Sequence, residues 1–215
     1  MLSFADALFL SRGGRCDWPR FARWHYRSHA IGLVRSVTVL WHGCPPDRAE
    51  TRPLFPTAAP DPTRSPDEGP TVPRPIGIAV FVSPPMSLRG RNRYFGRRGR
   101  WGRLEIRLMN RQLVSLQRLV LHPTYRGVGL AVPFLEAACE ASGVRWVETL
   151  SELGATLPVF ERAGFTRVGR SGLSREHRSR AGHSALYGGR PVSVETFRKS
   201  AESDPVYFIR RNVRV

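Results

Sequence analysis

Between residues 120 and 131 the chain reads VLHPTYRGVGLA. An apolar run stops at His122-Pro123, an Arg-Gly-x-Gly turn follows, and a second apolar run begins with helical spacing. A strand that ends in such a turn and feeds a helix presents several backbone N–H groups and the positive end of the helix to one point, which suits an anion such as a pyrophosphate. Glycine lets the backbone approach the anion without an intervening Cβ. A tight turn with no ligand is the plainer alternative, and the surrounding chain has to decide between them.

The surrounding pattern is strand alternating with helix. Residues 18–29, WPRFARWHYRSH, carry Trp18, Phe21, Trp24 and His25 at helical spacing, with Pro19 suited to a first turn. Residues 33–41 and 76–83 read as strands. They are expected to pair as a hairpin whose connection has been expanded, because residues 43–75 hold ten of the eighteen prolines and few large apolar side chains. A helix over LEIRLMNRQL, a strand at 115–123, a helix at about 129–142, a strand at 144–150, a helix at about 155–163, and strands from Phe165 and at 206–211 complete the series. The expected fold is α/β: a mixed sheet flanked by helices, in one domain over 1–215. The Pro-rich insertion at 43–75, an Arg-rich loop at 86–103 and a basic C-terminal extension at 171–215 are appended to it.

The glycine turn resembles the acyl-CoA loop of the Gcn5-related N-acetyltransferases (GNAT), patterned Gln/Arg-x-x-Gly-x-Gly/Ala. Arg126, Gly129 and Ala131 stand at its marked positions, and Val120 to Pro123 match the strand ending. VFERAGF, 159–165, is similar to the family's second motif, and the spacing between the two fits a helix, a strand and a second helix. The resemblance covers about 33–41 and 76–170. It implies acetyl-CoA or a related acyl-CoA as cofactor, held by Leu119, Val120, Leu121, Arg126, Gly127, Val128, Gly129, Leu130 and Ala131. The chain departs from the family twice. The second-motif tyrosine that protonates the departing sulfur is replaced by Phe160, and the strand opening Ser115-Leu116-Gln117-Arg118 lacks the carboxylate that often relays the amine proton. Pro133 is also unusual, though a first helical turn tolerates it.

A narrower resemblance joins WHYRSH, GLAVPFLEAA, FERAGF and DPVYFIRR to Mom-type DNA adenine-modification proteins and to acetyltransferase-like domains fused to ABC-type ATPases. It implies that His25 and Tyr26 match a functional His-Tyr pair; ordinary packing is the alternative for both. Glu148 and Glu152 flank the strand after the glycine helix. Strand ends on that side of an open sheet face the ligand crevice, so either orients an amine or is simply solvated.

Charge bears on the partner. Thirty-four basic residues against seventeen acidic give +17, a balance that favours a polyanion and repels polyamines. Residues 86–103 carry seven arginines and no acid. Arg89, Arg91, Arg93, Arg97, Arg98 and Arg100 are candidates to neutralise phosphates, and Tyr94, Phe95 and Trp101 to stack on bases. An enzyme acting on a base in a duplex has to extrude it, and a loop with these aromatics could fill the gap.

The leading expectation is a nucleic-acid-modifying transferase on a GNAT-like fold, with double-stranded DNA as partner and an exocyclic amine, that of adenine foremost, as acceptor. An ordinary N-acetyltransferase of a small-molecule or protein amine is the first alternative, and an inactive nucleic-acid-binding domain the second. Three scattered cysteines form neither a disulfide framework nor a metal knuckle. His42 and Cys44 complete no ligand set, so no metal is expected. The N-terminus lacks the pattern of a secretory signal, and no apolar run is long enough for a membrane span. These features fit the cytoplasm, a host's if the chain is phage-encoded. Oligomeric state is left open.

Overall fold

Runs of β-branched and aromatic residues become strands, and the glycine- and proline-marked breaks between them become turns. The structure is a computed structural model that describes residues 7–25, 30–45, 49–55, 72–99, 101–170 and 205–213. The chain divides into two compact units, one of residues 1–29, 34–81 and 118–143 and one of 30–33, 82–117 and 144–215.

The first unit contains β1 (Leu8–Arg12), β2 (Val34–His42), β3 (Arg52–Pro53), β4 (Arg74–Val82, to Phe81) and residues 118–121 of β5 (Leu113–Leu121), in the order β3-β1-β2-β4-β5. The two expected strands at 33–41 and 76–83 are hydrogen-bonded neighbours, β2 and β4. β1 is antiparallel to both β2 and β3: Leu10 faces Leu40, and Phe9 lies between Trp41 and Pro53. The sequence pattern did not mark this stretch as a strand. It becomes a strand because Leu8 and Leu10 bury completely or nearly so. β4 is buried from Ile76 onward, the continuous apolar pattern of a strand covered on both faces. Gly77 sits where a Cβ would come within 2.8 Å of the Leu121 side chain.

Among the described residues, helices α1 (Trp18–Ala22) and α4 (Ala131–Ala141) complete this unit. α1 is far shorter than the expected 18–29. The backbone N–H groups of Trp24 and His25 close three-residue turns onto Phe21 and Ala22, and residues 26–29 lie outside the described set. α4 (Ala131–Ala141) buries Phe134, Leu135, Ala138 and Cys139. Pro133 is its third residue, where the missing N–H would have had no partner inside the helix.

The second unit holds residues 113–117 of β5, then β6 (Trp146–Ser151), β7 (Thr166–Arg170) and β8 (Val206–Arg211), ordered β5-β6-β8-β7. β5 and β6 are parallel, with Ser115 opposite Glu148, whereas β6–β8 and β7–β8 are antiparallel. The sheet is therefore mixed, and the fold is α/β, as expected.

Among the described residues this unit holds the helices α2 (Arg89–Tyr94), α3 (Arg103–Gln112) and α5 (Val159–Arg162). Residues 86–103, expected as a loop, thus contain a helix. α2 packs on β7 and β8, and Gly90 is what permits it, since a Cβ there would lie 2.3 Å from the Tyr207 ring. The helix expected at 155–163 is instead a 3-10 turn, Leu153–Ala155, followed by the short α5. Pro158 between them has no N–H to continue a helix from the preceding turn.

Residues 171–204 of the C-terminal extension and 56–71 of the Pro-rich insertion lie outside the described residues. Among the described residues no helix is long and apolar enough to cross a membrane.

Candidate functional site

β5 delivers the chain to the glycine turn. Val120 is buried, Leu119 and Leu121 are half-buried, and the backbone N–H of His122 donates to the Ile76 carbonyl at 2.7 Å, which ties the end of β5 to β4. A 3-10 turn, Pro123–Tyr125, follows. The Nδ1 of His122 accepts from the Thr124 N–H at 3.3 Å.

Gly127 and Gly129 then adopt φ of +83° and +85°. Side chains rarely take that conformation, so these two glycines make the turn possible. No atom lies within 4 Å of where a Cβ would stand at either position, and the surface over the turn is open. Arg126 and Val128 are exposed; Leu130 is buried and holds the start of α4 to the core. Leu130 is the cap residue of α4 and offers no side-chain acceptor. The first N–H groups of an eleven-residue helix therefore carry their partial positive charge uncapped by the residue ahead of them.

The Arg126 guanidinium folds back. Its Nε donates to the Leu121 carbonyl at 3.0 Å, and a terminal nitrogen donates to the Trp24 carbonyl at 3.2 Å. It thus fixes the shape of the turn and fastens it to the end of the α1 segment.

Beside the turn lies a cavity of about 520 Å³. Phe21 and Ile76, both almost fully buried, contribute apolar wall. Trp24, His122 and Tyr125 add rings: Trp24 meets His122 edge to face at 4.4 Å, and His122 meets Tyr125 at 6.0 Å. Arg20, Arg23 and Arg74 are exposed at its wall. The Arg23 guanidinium lies 4.5 Å from the Trp24 ring centre. Behind Tyr125, its hydroxyl and His42 Nδ1 are 2.8 Å apart. Burial and, secondarily, the positive Arg74 hold His42 below its ordinary pKa. Sequence reading did not single out this group. Its signal is the interleaving of arginine with aromatics in WPRFARWH, the same pattern remarked at 86–103.

The other expected site residues fall elsewhere. His25 is half-buried, with its ring 5.8 Å from Trp18. Tyr26 and Arg100 lie outside the described residues. Glu152 caps the 3-10 turn before α5, its carbonyl accepting from the Ala155 N–H.

In the second unit, Glu148 is 0% exposed and fully engaged. Arg91, also 0% exposed, donates to it through Nε (2.9 Å) and a terminal nitrogen (2.6 Å). The Tyr207 hydroxyl adds a third hydrogen bond at 2.8 Å. The other terminal nitrogen of Arg91 donates to the Pro85 carbonyl. Burial first, and the Glu148 charge next, push the Tyr207 hydroxyl far above its usual range. Two expectations are corrected here. Arg91 faces a carboxylate in the interior, so it is not available to a phosphate, and Glu148 is a neutralised core group with no free lone pair turned to solvent.

The rest of the arginine segment is divided. Arg89, Arg93 and Arg98 are exposed. Arg97 pairs with Glu105 and lies over Trp101, 5.4 Å from the ring centre. Trp101 turns its N–H to Asn92 and packs beside the Met109–Tyr207 core cluster. Tyr94 and Phe95 are part-exposed and both meet Trp146 edge to face. Phe160 is buried and stacks on Phe208 at 5.0 Å. Among the described residues no group of three or more His, Cys, Asp or Glu is placed to hold a metal ion.

No family model matches the sequence, and no curated protein matches it significantly. Solved structures do align. YhbS from Escherichia coli, a GNAT-family N-acetyltransferase in complex with CoA, shares 16% identity over 98% of this chain and 84% of its own, with a TM-score of 0.46. AAC(6')-Ib in complex with ribostamycin and coenzyme A shares 16% over 98% and 99%, with a TM-score of 0.43. Rv2747 from Mycobacterium tuberculosis, in complex with CoA and NLQ, shares 10% over 95% and 99%, with a TM-score of 0.41.

Proposed function

We propose that this chain is an acyl-CoA-dependent N-acyltransferase of the GNAT type. One observation carries the reading: the Arg126–Leu130 turn, with both glycines at positive φ, opens directly onto the uncapped start of α4. Backbone N–H groups aimed outward from such a turn, together with the helix dipole, fit a pyrophosphate. The open space over Gly127 and Gly129 lets an anion reach the backbone. When bound, acyl-CoA supplies a thioester that an amine converts to an amide with release of the thiol.

This chain's own residues then have limited work. Gly127, Gly129 and the first turn of α4 hold the phosphates, and Arg126 braces the turn. The buried, stacked ring of Phe160 has no proton to give a departing thiolate. Glu148 is committed to Arg91 and Tyr207. His25 and Glu152 are the residues left to test as proton carriers, and solvent can serve in their place.

The acceptor in this reading is an amine of a small molecule or a protein. A net charge of +17 disfavours polycations, so the amine belongs to a neutral or anionic molecule. A second reading, transfer to an exocyclic amine of a DNA base in the Mom manner, draws on the same charge and on exposed Arg89, Arg93 and Arg98 beside Tyr94 and Phe95. Burial of Arg91 and the pairing of Arg97 with Glu105 weaken it.

The test is calorimetry with acetyl-CoA on folded protein. Wild type binds; Gly129→Asp, which sets a side chain and a negative charge over the turn, abolishes binding while the circular dichroism spectrum stays native. Equal affinity in the two proteins would refute the cofactor site. Thiol release with candidate amines, and nucleoside mass spectrometry after incubation with DNA and acetyl-CoA, then separate the two acceptors.

A further inference from the structure

Residues 126–129 of the glycine turn are all exposed, and the space over Gly127 and Gly129 is open. Glycine gives up more conformational freedom on ordering than any other residue, so a turn of this kind keeps one shape only if its two ends are held. Leu130 holds the C-terminal end by burial. The N-terminal end is Tyr125, which is half-buried.

The Tyr125 ring meets His122 at 6.0 Å and His42 at 5.8 Å, both edge to face. Its hydroxyl lies 2.8 Å from His42 Nδ1. β4 lies between β2 and β5 in the sheet, so this contact ties the turn after β5 to a strand that is not its neighbour. His42 is a firm anchor. It is the last residue of β2 and faces Leu8 of β1, which is fully buried, across the ladder. Burial and the positive Arg74 hold the imidazole below its ordinary pKa, which favours the neutral ring. A neutral ring with no proton on Nδ1 accepts from the phenol O–H. The backbone fastens the same place: the N–H groups of Tyr125 and Arg126 donate to the His122 and Pro123 carbonyls.

We propose that His42 and Tyr125 are positioning residues for the glycine turn: their hydrogen bond holds its N-terminal end in the shape that receives the donor pyrophosphate. The ligand in this inference rests on the acyl-donor reading, while the hold on the turn is measurable without it. A turn that is ordered only part of the time binds its anion more weakly by that fraction.

The experiment uses the full chain with Tyr125→Phe, His42→Leu, His42→Asn and the double variant of Tyr125→Phe with His42→Leu. Phenylalanine keeps the ring and removes the hydroxyl. Asparagine sets an amide close to where Nδ1 stands, able to accept or donate, and leucine offers neither. Hydrogen exchange of the Tyr125 and Arg126 amides, followed by NMR, needs no ligand. Calorimetry measures acetyl-CoA affinity. Tyr125→Phe and His42→Leu are each expected to speed exchange at both amides and to weaken acetyl-CoA by about fivefold, the scale of one neutral hydrogen bond. The double variant goes no further than either single one, because the two residues act through one bond. His42→Asn stays near wild type in both measurements. Unchanged exchange in Tyr125→Phe overturns the proposal, whatever becomes of His42→Leu. Equal behaviour of His42→Asn and His42→Leu also overturns it, since ring packing is then the whole effect, and so does additive loss in the double variant. If wild type binds no acetyl-CoA while Tyr125→Phe still speeds exchange, the acyl-donor reading falls and the hold on the turn stands.

Discussion

At the scale of single residues, His42 shows how an environment sets a charge. Its ring is partly buried, its Nδ1 is 2.8 Å from the Tyr125 hydroxyl, and the positive charge of Arg74 acts on it. Burial and Arg74 both disfavour the imidazolium, so the folded-state pKa lies below 6.5. At pH values near and just below 6.5 the unfolded chain binds more protons at this position than the folded chain. The stability His42 contributes is therefore present above its ordinary pKa and is lost as pH falls. Thermal melts between about pH 7.5 and pH 5 should show wild type losing more stability than His42→Phe, which cannot titrate. Parallel pH profiles would mean that His42 is solvated in the folded chain.

At the scale of elements, α2 is attached to its unit by one buried arginine. The helix has six residues, no side-chain cap and two glycines close by, so it has little stability of its own. Arg91 gives it four polar attachments, two to Glu148, one to the Pro85 carbonyl and one to the Met109 sulfur. Gly90 lets the backbone lie against Tyr207. Arg91→Ala leaves the Glu148 carboxylate and the Tyr207 hydroxyl buried without their cation, and is expected to cost about 3–5 kcal/mol. Chemical denaturation checks this. Replacing the pair by apolar residues of similar size, Arg91→Met with Glu148→Leu, should recover a large part of the loss. If Arg91→Ala is neutral, the pair is not the attachment. Sequence alone grouped Arg91 with its neighbours at 89 and 93, since all three share one composition.

At the scale of the whole molecule, +17 is a property that no single pocket accounts for. It acts on any polyanion, and its effect on DNA is countable. Arg89, Arg93 and Arg98 are exposed. If each meets a phosphate, replacing all three with Ala lowers the slope of log affinity against log salt by about 0.9 for each contact on duplex DNA. Fluorescence anisotropy at several salt concentrations measures it. Arg91→Ala, compared under conditions where it is folded, should leave the slope unchanged, because that charge never faced solvent. An unchanged slope in the triple variant would place any DNA contact elsewhere on the chain.

The glycine turn, the strand before it and the helix after it were legible in the sequence because their causes are local. Positive φ at Gly127 and Gly129 demands glycine, and the 3.6-residue spacing of α4 is written in adjacent residues. Strands β2, β4, β6 and β8 were legible for the same reason. Tertiary structure alone decided which charges remain available. Arg91 and Arg93 are two residues apart, and only one of them meets Glu148, 57 positions away in sequence. Tertiary structure likewise made β1 a strand, by giving Leu8 and Leu10 a partner in β2. It also gathered α1, the start of β4 and the turn after β5 around one cavity. Burial depends on which distant segment arrives, and a composition window holds no record of that. The sequence therefore located the backbone that can hold an anion, while the fold decided which arginines are left to meet one.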